Sequence, residues 1–198
     1  MHPNPAFRLD DRDLCVEVIE EVGFGMVFAT TPDGPRVAHT PLLHRDGRIA
    51  FHLARGNALT RHLETTGALV VVNGPDGYVS PRWYADPAQV PTWNYVAIEC
   101  EGSVRRLDRA GLVELLAGLS SRHEARLDGA PWTLDKVPET TLSRLLDAIV
   151  GFELDVTAWR PTFKLSQNKP ADERARVTMG LETTGAGGIA ALMRALVP

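Results

Sequence analysis

Between residues 11 and 22 the apolar positions fall at helical spacing: Cys15, Val18, Ile19 and Val22 occupy i, i+3, i+4 and i+7. Asp10 or Asp11 can cap this helix by accepting from the free amides of its first turn, and Gly23 can end it. The period then shortens. Residues 24–31, 36–44 and 48–53 are short apolar segments separated by Pro32-Asp33-Gly34-Pro35 and Arg45-Asp46-Gly47. Asp-Gly tolerates positive φ where most residues do not, so these separators read as turns of an antiparallel meander.

A short helix is expected over 57–64 with Asn57 as its cap, then buried strands over 68–73 and 96–107. Asp108 caps a helix carrying Leu112, Leu115, Leu116 and Leu119. Pro138 suits a first helical position ahead of Leu142, Leu145, Leu146 and Ile149. Residues 152–159 alternate apolar and polar, the mark of a strand with one face covered. The tail from Pro170 is helical, broken near Gly185-Ala186-Gly187-Gly188. Strands first, helices interleaved later and one returning strand predict a mainly β, α+β fold. Its sheet is a closed or nearly closed barrel with helices outside.

Composition narrows the functions. A chain of 198 residues with ordinary hydrophobic and charged fractions buries a real core, and the net charge of −4 argues against a basic nucleic-acid surface. Two distant cysteines, Cys15 and Cys100, fit a reduced compartment. The first residues lack the apolar core of a signal peptide, and the longest apolar run, 68–72, is too short for a bilayer, so the expected location is the cytoplasm, with no membrane contact. His39 and His44 lie five apart and face opposite ways on one strand, so no metal site is expected.

Four segments carry more chemistry than a plain barrel needs. They are residues 36–42 with His39 and Thr40, residues 51–59, the aromatic and proline-rich stretch 75–95, and residues 164–169. In the second, a strand delivers His52, then Arg55 and Asn57 arrive at a turn where a helix begins. A guanidinium and free helix-start amides suit a phosphate; a surface Arg beside an ordinary Asn cap explains the same residues. In the third, Trp93 and Asn94 could wall a planar ligand or pack as a rigid loop or subunit contact. Lys164, Ser166 and Gln167 fit a phosphate, a ring edge or a solvated turn.

Together the four segments resemble the PaiB-like family of FMN-binding negative transcriptional regulators. The resemblance rests on His52-Leu53-Ala54-Arg55-Gly56-Asn57, Tyr78-Val79-Ser80-Pro81-Arg82-Trp83-Tyr84, Val90-Pro91-Thr92-Trp93-Asn94-Tyr95 and Lys164-Leu165-Ser166-Gln167-Asn168-Lys169, in family order over residues 5–183. It implies a six-stranded Greek-key split β-barrel of the FMN-binding type over residues 1–165, with inserted helices at about 108–149. Residues 166–198 would form a helical tail packed on the barrel. It further implies a homodimer with flavin sites at the subunit interface. The implied FMN ligands are His39, Thr40, His52, Leu53, Arg55 and Asn57, with Trp93, Asn94, Lys164, Ser166 and Gln167 as a second wall, in part from the partner. Ala58-Leu59 stands where the family pattern has Pro and an aromatic or polar residue, which predicts a looser helix start and weaker phosphate binding.

The resemblance points to a flavin-binding regulator or sensor without a helix-turn-helix. Two other functions fit the same scaffold: an NAD(P)H-driven flavin oxidoreductase, and a haem-binding or haem-degrading protein using His39, His52 or His123. Whether the chain is an enzyme is left open, because no nucleophile–His–acid arrangement can be read from spacing.

Overall fold

The computed structural model describes residues 3–86 and 88–197. Their strands are β1 (Phe24–Thr31), β2 (Gly34–Arg45), β3 (Arg48–Ala54), β4 (Ala68–Val79), β5 (Thr92–Arg106) and β6 (Ile149–Lys164). The helices are α1 (Arg12–Val22), α2 (Leu63–Thr66), α3 (Arg109–Glu124), α4 (Glu139–Asp147), α5 (Ala171–Thr183) and α6 (Gly187–Leu196). The described residues fall into two compact units. A barrel unit draws on Val16–Val72 and Cys100–Trp159; a second unit draws on Met1–Cys15, Asn73–Glu99 and Arg160–Pro198.

In the barrel unit the hydrogen-bonded order is β1-β2-β3-β6-β5-β4, closing back onto β1. The chain first lays down a three-strand meander. It then sets β4 against β1 (Val27↔Val70) and β6 against β3 (Phe51↔Phe152), which gives the Greek-key order. The turn between β2 and β3 holds both Asp46 (φ 50°) and Gly47 (φ 77°) in the left-handed region, as the hairpin reading required. Val27, Leu42, Ile49, Phe51, Val70, Phe152 and Leu154 are fully buried inside, with Phe51 and Phe152 stacked at 5.7 Å.

Leu43 and Ala50 point outward instead, under Leu112, Leu115 and Leu119 of α3 and Leu146 of α4. The helical stripes read in the sequence therefore cover one patch of the barrel's outside. Asp108 Oδ1 caps α3 by accepting from Gly111 N at 2.7 Å, and Asp11, not Asp10, accepts from Leu14 N at 3.0 Å. Gly102 is demanded by a close approach, since a Cβ there would stand 1.9 Å from the Asp155 carbonyl oxygen.

In the second unit α5 and α6 pack through Val177, Leu181, Ile189, Ala190 and Met193. Gly77 lets them reach β4: a Cβ on it would lie 2.6 Å from Leu181 Cδ2. Trp83 lies against Gly180 of α5, where a Cβ would meet its ring at 2.2 Å.

Several boundaries differ from the sequence expectation, three of them by a long extension. β4 continues from residue 73 to Val79, β5 begins at Thr92 and β6 runs on to Lys164. Pro75, Gly77 and Pro91 made these stretches look like loop, but their strand pairing and helix cover are tertiary. The helix expected over 57–64 divides into a 3₁₀ turn at Ala58–Arg61 and the single turn α2. Pro138 stands one residue before α4, as its N-cap, and Ile149, expected on the apolar face of this helix, opens β6 instead.

Candidate functional site

Inward residues Phe51 and Leu53 of β3 flank His52, which points to the outer side of the sheet. Leu53 fills the barrel interior at 4% exposure, so its side chain is closed to a ligand. Thr40 is buried, and its hydroxyl donates to the His52 carbonyl at 2.7 Å. His39 is exposed on the outer side of β2, paired with Met26 of β1. His52 Nδ1 is buried with no hydrogen-bond partner, and burial pushes the imidazole pKa below its usual 6.5. The ring is therefore neutral near pH 7, with one nitrogen able to donate and one to accept.

Arg55 follows the end of β3 and is exposed. Its Nε donates to the Asp147 carbonyl at 2.6 Å and its Nη2 to the Ile149 carbonyl at 3.3 Å, while its backbone N–H donates to the Ala148 carbonyl at 2.9 Å. These carbonyls run from the last residue of α4 to the first of β6, and the helix end leaves acceptors unsatisfied. Nη1 takes part in neither side-chain bond. Asn57 Oδ1 accepts from Leu59 N at 2.9 Å and so caps the 3₁₀ turn, as expected. That turn is too short to carry an appreciable helix dipole, and Arg55 brings a guanidinium charge to this corner.

The remaining sequence candidates lie in the second unit. Asn94 is fully buried; its Nδ2 donates to Ser166 Oγ at 2.9 Å, and Ser166 Oγ lies 3.1 Å from Asn94 Oδ1. Ser166 holds a left-handed φ of 63°. Gln167 accepts from Leu165 N at 2.7 Å and donates to the Phe163 carbonyl. Lys164 donates to Thr92 Oγ1 at 2.6 Å and to the Trp93 carbonyl. Trp93 is half exposed and meets Tyr78 edge-on at 6.0 Å. The structure thus joins Asn94 with Ser166 and Lys164 with Thr92, and it turns Gln167 back on its own loop.

Two features escaped the sequence reading. One is an outward apolar face on the barrel unit, made by Phe24, Met26 and Phe28 of β1 with Val37 and Pro41 of β2 and Leu69 and Val71 of β4. The registers Met26↔His39, Phe28↔Val37 and Met26↔Val71 make it continuous over three strands. Its sequence signal was the apolar residue on both faces of β1, which a half-covered strand does not need. The other is a cavity of about 290 Å³ in the second unit, with Phe7, Tyr84, Gln89 and Lys169 around Lys164. No spacing rule connects those residues.

The closed six-stranded order with helices on its outside defines a split-barrel protein. Residues 1–158 match the family described as "Putative FMN-binding domain". The chain belongs to that family. It is 33% identical over 168 residues to protease synthase and sporulation protein PAI 2 of Bacillus subtilis, across 82% of this chain and 80% of that protein. An uncharacterized protein of Aspergillus fumigatus is 32% identical over 157 residues, across 69% of this chain and 60% of its own length. Among solved structures, the FAD and heme binding protein of Mycobacterium smegmatis superposes with a TM-score of 0.62 at 16% identity, covering 85% of this chain and 78% of that one. The flavocytochrome Anf3 of Azotobacter vinelandii gives 0.59 at 14% identity, with 82% and 72% covered. At these identities the structural likeness speaks for the fold.

Proposed function

We propose that the chain binds FMN against the outer side of its barrel unit, beside His52 and Arg55, and acts as a flavin-dependent regulator of the PaiB-like type. The buried, unpartnered Nδ1 of His52 carries this reading. A buried polar nitrogen without a partner costs roughly 1–3 kcal/mol, and a ring edge supplied by a ligand removes that cost. Family membership over residues 1–158 supports the choice of ligand.

The residues present fit the group. Arg55 offers a guanidinium for phosphate oxygens, Asn57 holds the turn that follows it, and Thr40 fixes the His52 backbone. His39 stands exposed on the outer side of β2. Bound FMN would supply hydride or electron chemistry, and the protein's part is to orient the ring and exclude water from it.

The outer face around Phe24 and Val37 is where a second copy of the chain would dock. Phe24 is 52% and Val37 44% exposed, and a closed barrel has no free strand edge to offer, so association must use a face. This supports a homodimer. In it, Trp93 of the second copy is the candidate for the far wall of the ring, being the exposed aromatic of the second-wall set. Asn94, Ser166 and Gln167 serve as positioning residues, because their polar groups are already engaged within the protein.

A regulator of this kind would act without reading DNA itself. The charge balance is acidic, and α3 and α4 give their apolar faces to the barrel. The test is an anaerobic titration with FMN, followed by promoter-DNA binding at low salt. Flavin absorbance changes that saturate, without a DNA shift, support the reading. No binding up to high micromolar FMN overturns it. Reduction of bound FMN by NADH or NADPH would favour an oxidoreductase instead.

A further inference from the structure

Among the described residues, the cavity in the second unit presents two ammonium groups without a counter-ion. It measures about 290 Å³ and is lined by Phe7, Tyr84, Gln89, Thr92, Lys164 and Lys169, among others. Lys164 is half-buried and bonded to the neutral acceptors Thr92 Oγ1 and the Trp93 carbonyl; Lys169 donates to Gln89 Oε1 at 2.7 Å. Each ammonium also stands over an aromatic ring, Lys164 at 5.7 Å from the Phe7 centroid and Lys169 at 5.1 Å from that of Tyr84. Among the described residues neither lysine has an ion-pair partner. Glu173, whose charge reaches Tyr84, accepts from the Ala85 amide and makes no ion pair with either lysine among the described residues.

Desolvating a cation without an anion is unfavourable, and ring faces repay only part of it. Burial accordingly lowers the Lys164 pKa from its usual 10.5. The floor beneath is fixed by the buried Asn94–Ser166 pair, with Ser166 held at φ 63° and hydrogen-bonded to Tyr84. A non-glycine residue in the left-handed region is held there only by strong surroundings, and such residues gather at binding sites. The volume equals on the order of ten waters at ~30 Å³ each, enough for one ring or a short chain with a charged head.

We propose that this cavity is a binding site for a small organic anion, a carboxylate or phosphate monoester. The anion's head lies between Lys164 and Lys169 and its body lies against Phe7 and Tyr84. Lysine acts as a point charge and accepts either head geometry, so both members of the class fit. Every lining residue belongs to the second unit.

Calorimetric titration of the full chain with benzoate, phenyl phosphate and the neutral control benzyl alcohol tests this. At least one anion is expected to bind saturably, with benzyl alcohol inert. Lys164→Gln and Lys169→Gln should each weaken binding by about tenfold, the scale of one charge-assisted contact. Arg55→Ala should leave it unchanged while weakening FMN, which separates this site from the flavin reading. Where Lys164→Gln melts early, the half-exposed Lys169→Gln decides. Absence of saturation in the millimolar range, equal binding of benzyl alcohol, or displacement of the anion by FMN in the Arg55→Ala protein would each overturn the proposal.

Discussion

The Thr40 hydroxyl donates a 2.7 Å hydrogen bond to the His52 carbonyl, joining β2 to β3 just beyond the last paired residues of that ladder, Leu42 and Phe51. Thr40 is 2% exposed, so this bond sits out of water. Thr40→Val keeps the shape and removes the donor. It should lower unfolding free energy by about 1–2 kcal/mol, read as a shift in the urea midpoint at unchanged slope. A wild-type midpoint would show that the carbonyl finds another donor.

Arg55→Ala should raise the Kd for FMN by roughly 10- to 150-fold, the equivalent of about 1.5–3 kcal/mol for a charge-assisted contact. The same change frees the Asp147 carbonyl at the end of α4 and the Ile149 carbonyl at the start of β6, so some loss of thermal stability should accompany it. Arg55→Lys separates the two effects. A lysine restores charge near a phosphate but cannot serve two carbonyls and an anion together. Unchanged FMN affinity in both variants would move the phosphate elsewhere.

His52 makes stability depend on pH in a defined sense. Its folded pKa is lowered by burial, while the unfolded chain titrates near 6.5. Below pH 6.5 the unfolded state therefore binds the proton more readily, and stability falls as pH drops from 6.5 toward the folded pKa. Above 6.5 the contribution is complete. His52→Gln should flatten this part of the stability profile, and an NMR titration of the wild type should place the His52 midpoint below 6.5. A midpoint at or above 6.5 would contradict the burial.

Phe24→Glu places a charge on the outer apolar face, on a side chain 52% exposed in the single chain. Folding should be little affected, since the barrel interior is untouched. Light scattering should report a dimer for the wild type and a monomer for the variant, with weaker FMN binding in the monomer. A wild-type monomer at micromolar concentration would remove this face as the interface.

Gly102→Ala is expected to cost about 2–4 kcal/mol, because the added methyl meets a backbone carbonyl that cannot rotate away. Thermal melting checks it directly. A wild-type melting temperature would mean that β5 and β6 can separate without loss.

Legibility followed the range of the forces involved. The β1–β3 meander was readable because alternation and the Asp46-Gly47 turn are local, and the turn chemistry holds wherever the chain goes. The stripes of α3 and α4 were equally plain. The ends of β4, β5 and β6 were not. Gly77 reads as a loop residue until Leu181 is known to lie against it, a contact over a hundred positions away in the chain. Within the candidate site, motif order named His52, Arg55 and Asn94. It could not reveal that Asn94 is engaged by Ser166, that Arg55 serves two carbonyls, or that His52 Nδ1 lacks a partner.

By itself, then, the sequence determined the class of fold, the capped helices, the tight turns and the family, since each rests on residue type at short spacing. Tertiary structure alone decided which polar groups are already satisfied and which still lack a partner. It set Lys164 and Lys169 about one cavity, and it left the Phe24–Val37 face uncovered. Hydrogen bonds and burial are properties of neighbours in space, and a barrel closed by β1 and β4 makes neighbours that no local pattern records.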